Sequence, residues 1–171
     1  MPLPDLVTTI GAANANSYVS LVEAATYFDV RFNGSLWLNL SSDDQKRTLL
    51  MATQRLNRIN WLGVRVTDDQ ALAWPRLGVM KTDGMNVFTN WWPGHDADGY
   101  FQDDEIPQQV KDAQCEYALD LISSVDLSGN DISAFSTDGV SVTLRNAPQD
   151  YPSEVSRLIA GLTQGNVLVR A

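Results

Sequence analysis

Apolar residues recur at three- and four-residue intervals in four stretches of the chain, and each stretch opens on a helix-start signal. The first is Ser20-Leu21-Val22-Glu23, a capping box: the Ser20 hydroxyl can accept from the Glu23 amide while the Glu23 carboxylate reaches back to the Ser20 amide. Leu21, Ala24, Ala25, Phe28 and Phe32 then form a stripe that ends at the breaker Asn33-Gly34. The second is Ser42-Asp43-Asp44-Gln45, again a capping box, with two acids where the helix dipole favours negative charge. Its face is Leu49, Ala52, Leu56 and Ile59, with Arg55 and Arg58 near the C-terminal end, and it is expected to stop near Asn60. The third begins at Ile106-Pro107, proline being tolerated at the first helical position, and presents Val110, Ala113, Gln114, Tyr117, Ala118 and Leu121 before Ser123-Ser124. The fourth is short, from Pro152, with Val155, Leu158, Ile159 and Leu162 on one face, ending at Gly165.

Two regions break this rhythm. Residues 63–106 mix glycines, two prolines and the aromatics Trp74, Phe88, Trp91, Trp92, Tyr100 and Phe101, a texture unsuited to regular structure. So long a loop is uncommon within a compact domain, and it reads either as a partner-ordered arm or as a surface loop pinned by its tryptophans. From Asp131 the period falls to two: Ile132-Ser133-Ala134-Phe135 and Val140-Ser141-Val142-Thr143-Leu144 flank Asp138-Gly139, a hairpin signal. The end, Asn166 to Ala171, reads as extended chain.

The predicted fold is therefore mainly α, a small bundle of about four helices with a long irregular loop, a short β-hairpin and an extended tail. The 171 residues fit a single domain, with 14–125 as the helical core carrying the loop 63–106, and 126–171 holding the hairpin, short helix and tail. A hydrophobic content of 44% suffices for one core without staples. Cys115 is the sole cysteine, so no internal disulfide forms, and a small residue at the core edge is the expected role. Neither a signal peptide nor a membrane span is seen, which points to a soluble, unexported chain.

Charge changes the picture of partners. A net charge of −9 opposes adhesion to phosphates, because non-specific nucleic-acid affinity comes from cations that displace counterions.

Little chemistry is legible. His95 is the one histidine and sits in a Gly/Asp-rich loop, so no triad is expected, and phosphate-loop and His-Glu-x-x-His motifs are absent. No cofactor and no catalytic residue follow from the sequence. With Gly99 at the sixth position of an EF-hand-like loop, Asp96, Asp98 and Glu105 fall at the third, fifth and twelfth. Position one is then Gly94, and Trp91-Trp92-Pro93 stand where the incoming helix should be, so a solvated acidic loop is expected instead of a metal site. Asp112, Glu116 and Asp120 recur every four residues and predict a solvated or channel-lining helix face. Leu72-Ala73-Trp74-Pro75-Arg76 suits base stacking with phosphate contact or, better for an acidic chain, a protein interface.

Several strings resemble one phage protein family: Asn16 to Phe28, Trp37 before Ser41 to Lys46, Leu49 to Thr53, Trp61-Leu62-Gly63, Gln70 to Arg76, and Ile106-Pro107 before Ala113. Together they span roughly residues 14–125, and Leu72 to Arg76 is the sharpest piece. Members often carry the label DnaT-like single-stranded-DNA-binding protein, and resemble the head-tail connectors of tailed phages. The resemblance implies a virion structural protein and not an enzyme: an α-helical adaptor forming a homo-oligomeric ring in the neck, after assembly in the host cytoplasm. The partners it implies are the portal protein and a tail or stopper protein, with double-stranded DNA passing through the lumen without specific binding and no membrane contact. An acidic lumen wall would let DNA slide. A single-stranded-DNA-binding module is the alternative, and needs Arg47, Arg55, Arg58, Arg65 and Arg76 on one face. Ring contacts are heterologous, so two unlike patches are expected. The interface candidates are Trp74, Arg76, Trp91 and Trp92 in the loop, and Val167, Leu168, Val169 and Arg170 in the tail, with the segment Ile132 to Leu144 beside them.

Overall fold

A computed structural model describes residues 3–81, 99–126, 134–137, 140–143 and 152–164. The chain is mainly α, as its periodicity predicts. In order come α1 (Leu21–Asp29), α2 (Ser35–Leu38), α3 (Ser42–Leu56), β1 (Val64–Arg65), β2 (Arg76–Leu77), α4 (Gln108–Asp126), β3 (Ala134–Thr137), β4 (Val140–Thr143) and α5 (Ser153–Leu158). The described residues thus hold five helices where about four were expected, the addition being the single turn α2.

Helix α1 starts on the predicted capping box: Ser20 Oγ accepts from the Glu23 amide at 3.2 Å, and the Ser20 amide donates to Glu23 Oε2 at 2.8 Å. It stops at Asp29, short of the predicted stripe end, and Phe32 stands fully exposed. The cause is Gly34, which packs so closely under α1 that a Cβ there would overlap the Phe28 carbonyl. The chain folds back at that point and α2 delivers Trp37 to the core, stacked on Phe28 at 4.8 Å between ring centroids. Helix α3 is capped one residue earlier than predicted. Ser41, not Ser42, accepts from the Asp44 amide at 3.2 Å and donates to Asp44 Oδ2 at 2.7 Å. Leu49, Ala52 and Leu56 are buried as predicted; the helix ends at Leu56 with Asn57 as its cap, and tight turns carry the chain past Ile59.

Helix α4 is the hub, packing against α1, α2, α3 and α5. Its predicted face is buried throughout: Val110, Ala113, Gln114, Tyr117, Ala118 and Leu121. It continues past Ser123-Ser124 to Asp126, the Ser123 hydroxyl being satisfied within the helix by the Leu119 carbonyl at 3.0 Å. On α5, Val155 is buried, and Ile159 and Leu162 just beyond it are too. The Leu62 amide bonds the Leu162 carbonyl at 2.9 Å, tying the region after α3 to the end of α5. The hairpin β3–β4 forms in antiparallel register, Phe135 opposite Val142.

The described part of the stretch predicted as a long irregular loop has little regular structure, as expected, and is pinned by specific contacts. β1 and β2 pair antiparallel, Val64 opposite Leu77 and Arg65 opposite Arg76; Met80 bridges Tyr100, and the Phe101 amide bonds the Val79 carbonyl at 3.0 Å. Trp61, Trp74 and Phe101 meet edge to face at 5.7–5.8 Å in the core. Pinning by a tryptophan is the outcome for Trp74. Trp91, Trp92, His95, Asp96 and Asp98 lie outside the described residues, as do Ile132, Leu144 and the tail with Val167, Leu168, Val169 and Arg170. No described helix is long and apolar enough to cross a membrane.

Candidate functional site

The sharpest sequence string, Leu72 to Arg76, turns out to be internal architecture. Trp74 is 1% exposed, so it supplies no contact surface, and its indole N–H finds no partner among the described residues. Arg76 is clamped by main-chain carbonyls: Nε donates to Leu62 at 2.6 Å, Nη1 to Ala73 at 3.2 Å, and Nη2 to Gly63 at 2.7 Å and Trp61 at 3.5 Å. Burial, and after it the neighbouring Arg65, lower its pKa. A guanidinium whose donors are spent on four carbonyls cannot fork onto a phosphate. The expectation that Trp74 and Arg76 anchor a partner is therefore corrected: both hold the loop to the core. Gly63 fits the same clamp, with φ +69 and no room for a Cβ beside the Leu77 carbonyl.

Three buried polar residues complete the frame. Gln70 Oε1 accepts from the Val66 and Thr67 amides at 3.0 and 3.1 Å, and its Nε2 donates to the Leu72 and Pro75 carbonyls at 2.8 and 3.1 Å. Gln114, on the apolar stripe of α4, accepts from the Tyr18 amide at 2.9 Å and donates to Ser17 Oγ at 2.8 Å and the Leu49 carbonyl at 3.1 Å. The Tyr18 hydroxyl donates to Asn57 Oδ1 at 2.9 Å, and the Ala73 amide donates to both. Burial drives the Tyr18 pKa far upward, which keeps that hydroxyl a neutral donor. A glutamine at a core position of α4 was the sequence signal for this network; its partners, 65 to 97 residues away, carried none.

The carboxylates of α4 do not form the uniform solvated face expected. Glu116 is 6% exposed, and its Oε1 receives the Tyr27 hydroxyl at 2.6 Å, Arg31 Nε at 2.6 Å and Arg31 Nη2. Arg31 also lies over the Tyr27 ring. Asp112 accepts from Gln108 at 2.8 Å, and burial raises the Asp120 pKa against the pull of Arg55. Beside this cluster a groove of about 380 Å³ runs between α1 and α4, floored by Val19 and Cys115 and lipped by Val22 and Thr26. The Glu23–Lys111 ion pair crosses it at 3.0 Å. Cys115 is buried, and burial pushes its thiol pKa far up, away from nucleophilic chemistry. Glu105, one of three residues considered for a cation, is engaged by Lys81 at 3.0 Å, and no cluster of three metal-ligating side chains occurs among the described residues.

The free surface carries the remaining features. Large apolar side chains stand in water at Val30 (85%), Phe32 (100%) and Leu36 (43%), around the α1–α2 corner. A second set, Val64, Leu77, Met80 and Tyr100, lines the β1–β2 ribbon and the bridge beside it. Sequence reasoning placed Phe32 in the core and so missed the first set. Of the five arginines weighed for DNA, Arg76 is withdrawn into its clamp, Arg47 pairs with Asp44 at 2.5 Å, and Arg55 lies over the Tyr117 ring. Arg58 and Arg65 are exposed.

The family model described as Putative DnaT-like ssDNA binding protein matches residues 5–170, well beyond the span 14–125 legible as motifs. No curated protein and no solved structure matches the chain.

Proposed function

The chain belongs to the family described as Putative DnaT-like ssDNA binding protein, and from that premise we propose that it is a non-catalytic assembly subunit. In this reading it is a head-to-tail adaptor of a tailed-phage virion, closing into a ring between the portal and a tail or stopper protein. The observation that carries the reading is Phe32: a fully exposed aromatic, beside Val30 at 85%, on a subunit whose Trp37, Trp61, Trp74 and Phe101 are buried. Apolar groups gathered at one exposed corner are what a surface covered by a partner would present. The net charge of −9 supports a conduit, since a wall of like charge keeps phosphates from adhering as DNA slides through.

Single-strand binding is the second reading, favoured by the family's own description. It would draw on Arg55, Arg58 and Arg65, all exposed, with Tyr100 offering a stacking face. Affinity falling steeply with salt supports it; no binding to an oligonucleotide at low salt rejects it.

Mass determination in solution, with the protein alone and then mixed with the portal protein of the same genome, tests the adaptor. A closed ring, or a complex formed with portal, is expected. A monomer indifferent to portal rejects the adaptor reading and transfers its weight to the single-strand binder.

A further inference from the structure

We propose that the two exposed apolar sets are the two halves of one heterologous contact: the Val30–Phe32–Leu36 corner of one copy seats on the Val64–Leu77–Met80–Tyr100 strip of the next. The proposal rests on the assembly reading above and names the surfaces that perform it.

Three observations carry it. The sets sit toward opposite ends of α3, a helix of fifteen residues and so about 22 Å long. The corner is held by α2, whose Trp37 bonds Thr48 in the first half of α3, while the strip follows the Asn57 cap through the Arg76 clamp on residues 61–63. Patches at opposite ends of a subunit cannot satisfy each other within it, and joined head to tail they propagate to the next copy. The charges beside them are complementary once Arg31, between Val30 and Phe32, is set aside as the partner of Glu116. Asp29, exposed next to Val30, has no ion pair among the described residues, whereas Arg65, next to Val64, meets the Gln70 carbonyl and faces like-charged Arg76. Asp68 and Asp69 lie on the turn beyond β1, off the strand pair itself. The third is size: Phe32, fully exposed, offers on the order of 200 Å² to a partner. With its neighbours it reaches the few hundred Å² of an apolar interface centre, the rest of a roughly 800 Å² footprint being polar rim.

The test uses dead-end variants of the full chain, followed by light scattering at high concentration. Phe32→Asp removes the corner and Val64→Asp the strip; Leu77→Asp serves as a second strip variant, and circular dichroism checks each fold. Wild type is expected to associate, and each variant alone to stay monomeric, its self-affinity down by at least ~30-fold as for a hot-spot residue. Mixed in equal amounts, the corner and strip variants each retain the half the other lacks, so they form a 1:1 complex that grows no further. A mixture that stays monomeric while wild type associates overturns this pairing and leaves the adaptor reading standing. A wild type that stays monomeric also overturns the contact, and the portal mixture then decides the adaptor reading separately.

Discussion

Arg76 Nη2 reaches the Gly63 carbonyl at 2.7 Å, across the β1–β2 ribbon from its own strand. This bond, with those to Leu62, Ala73 and Trp61, closes the segment after α3 onto the core through one guanidinium.

Arg76→Ala is therefore expected to cost about 3 kcal/mol, because it strands several carbonyls that charged donors had satisfied. In a chain of 171 residues that is a fall of roughly 10 °C in Tm by calorimetry. Arg76→Lys should recover less than half, since one ammonium cannot span four carbonyls. Unchanged stability in Arg76→Ala would show that the clamp is incidental.

Gln114→Leu should be destabilising although it makes the residue apolar. The side chain is fully buried, and its loss leaves the Tyr18 amide without this acceptor and takes one donor from the Leu49 carbonyl, which the Thr53 hydroxyl still reaches at 2.9 Å. About 2 to 4 kcal/mol is expected, read as a shift in the urea midpoint at unchanged slope. A neutral outcome would mean that water reaches the site.

What the sequence disclosed and what it concealed divide along the range of the interaction. The Ser20–Glu23 box, the α4 stripe and the β3–β4 pairing depend on residues a few positions apart, and all three are legible in the sequence. The end of α1 was not, because it is set by Gly34 passing beneath the Phe28 carbonyl, a contact that periodicity cannot encode. Glu116 shares the four-residue spacing of Asp112 and Asp120, yet differs from both because Tyr27 and Arg31 of the α1 region close over it. Trp74 and Arg76 have the composition of an interface anchor, and their interior role appears with the carbonyls of residues 61–63 in place.

Stability should have an acid limb to which Glu23 contributes. Burial raises its pKa, but the bond from the Ser20 amide and the Lys111 ammonium outweigh burial and hold it below the usual glutamate value. A carboxylate depressed in the folded state stabilises above its unfolded pKa, and that contribution is lost as pH falls through the folded value. Glu23→Gln should lower stability at neutral pH and flatten the decline in the window just below the ordinary glutamate value of 4.5. Chemical denaturation at pH 7 and at successive steps down to pH 3 checks this; parallel curves for variant and wild type would exclude Glu23 as the source.

Arg31 and Glu116 give the sharpest contrast between breaking and replacing a pair. Removing Arg31 alone leaves a carboxylate that is 6% exposed, with the Tyr27 hydroxyl as its remaining donor among the described residues. An uncompensated buried charge costs about 3 to 5 kcal/mol, and the 41% exposure of the Arg31 side chain brings the expectation for Arg31→Met to about 2 kcal/mol. Glu116→Gln in the same background removes the charge while keeping an acceptor for Tyr27, so the double variant should regain much of that loss. The recovery, measured as the coupling in a double-mutant cycle by thermal denaturation, separates the two accounts of the cluster. Positive coupling of a kilocalorie or more means that Arg31 and Glu116 stabilise the fold as a pair. Additive losses would mean that Arg31 contributes through its packing on the Tyr27 ring alone.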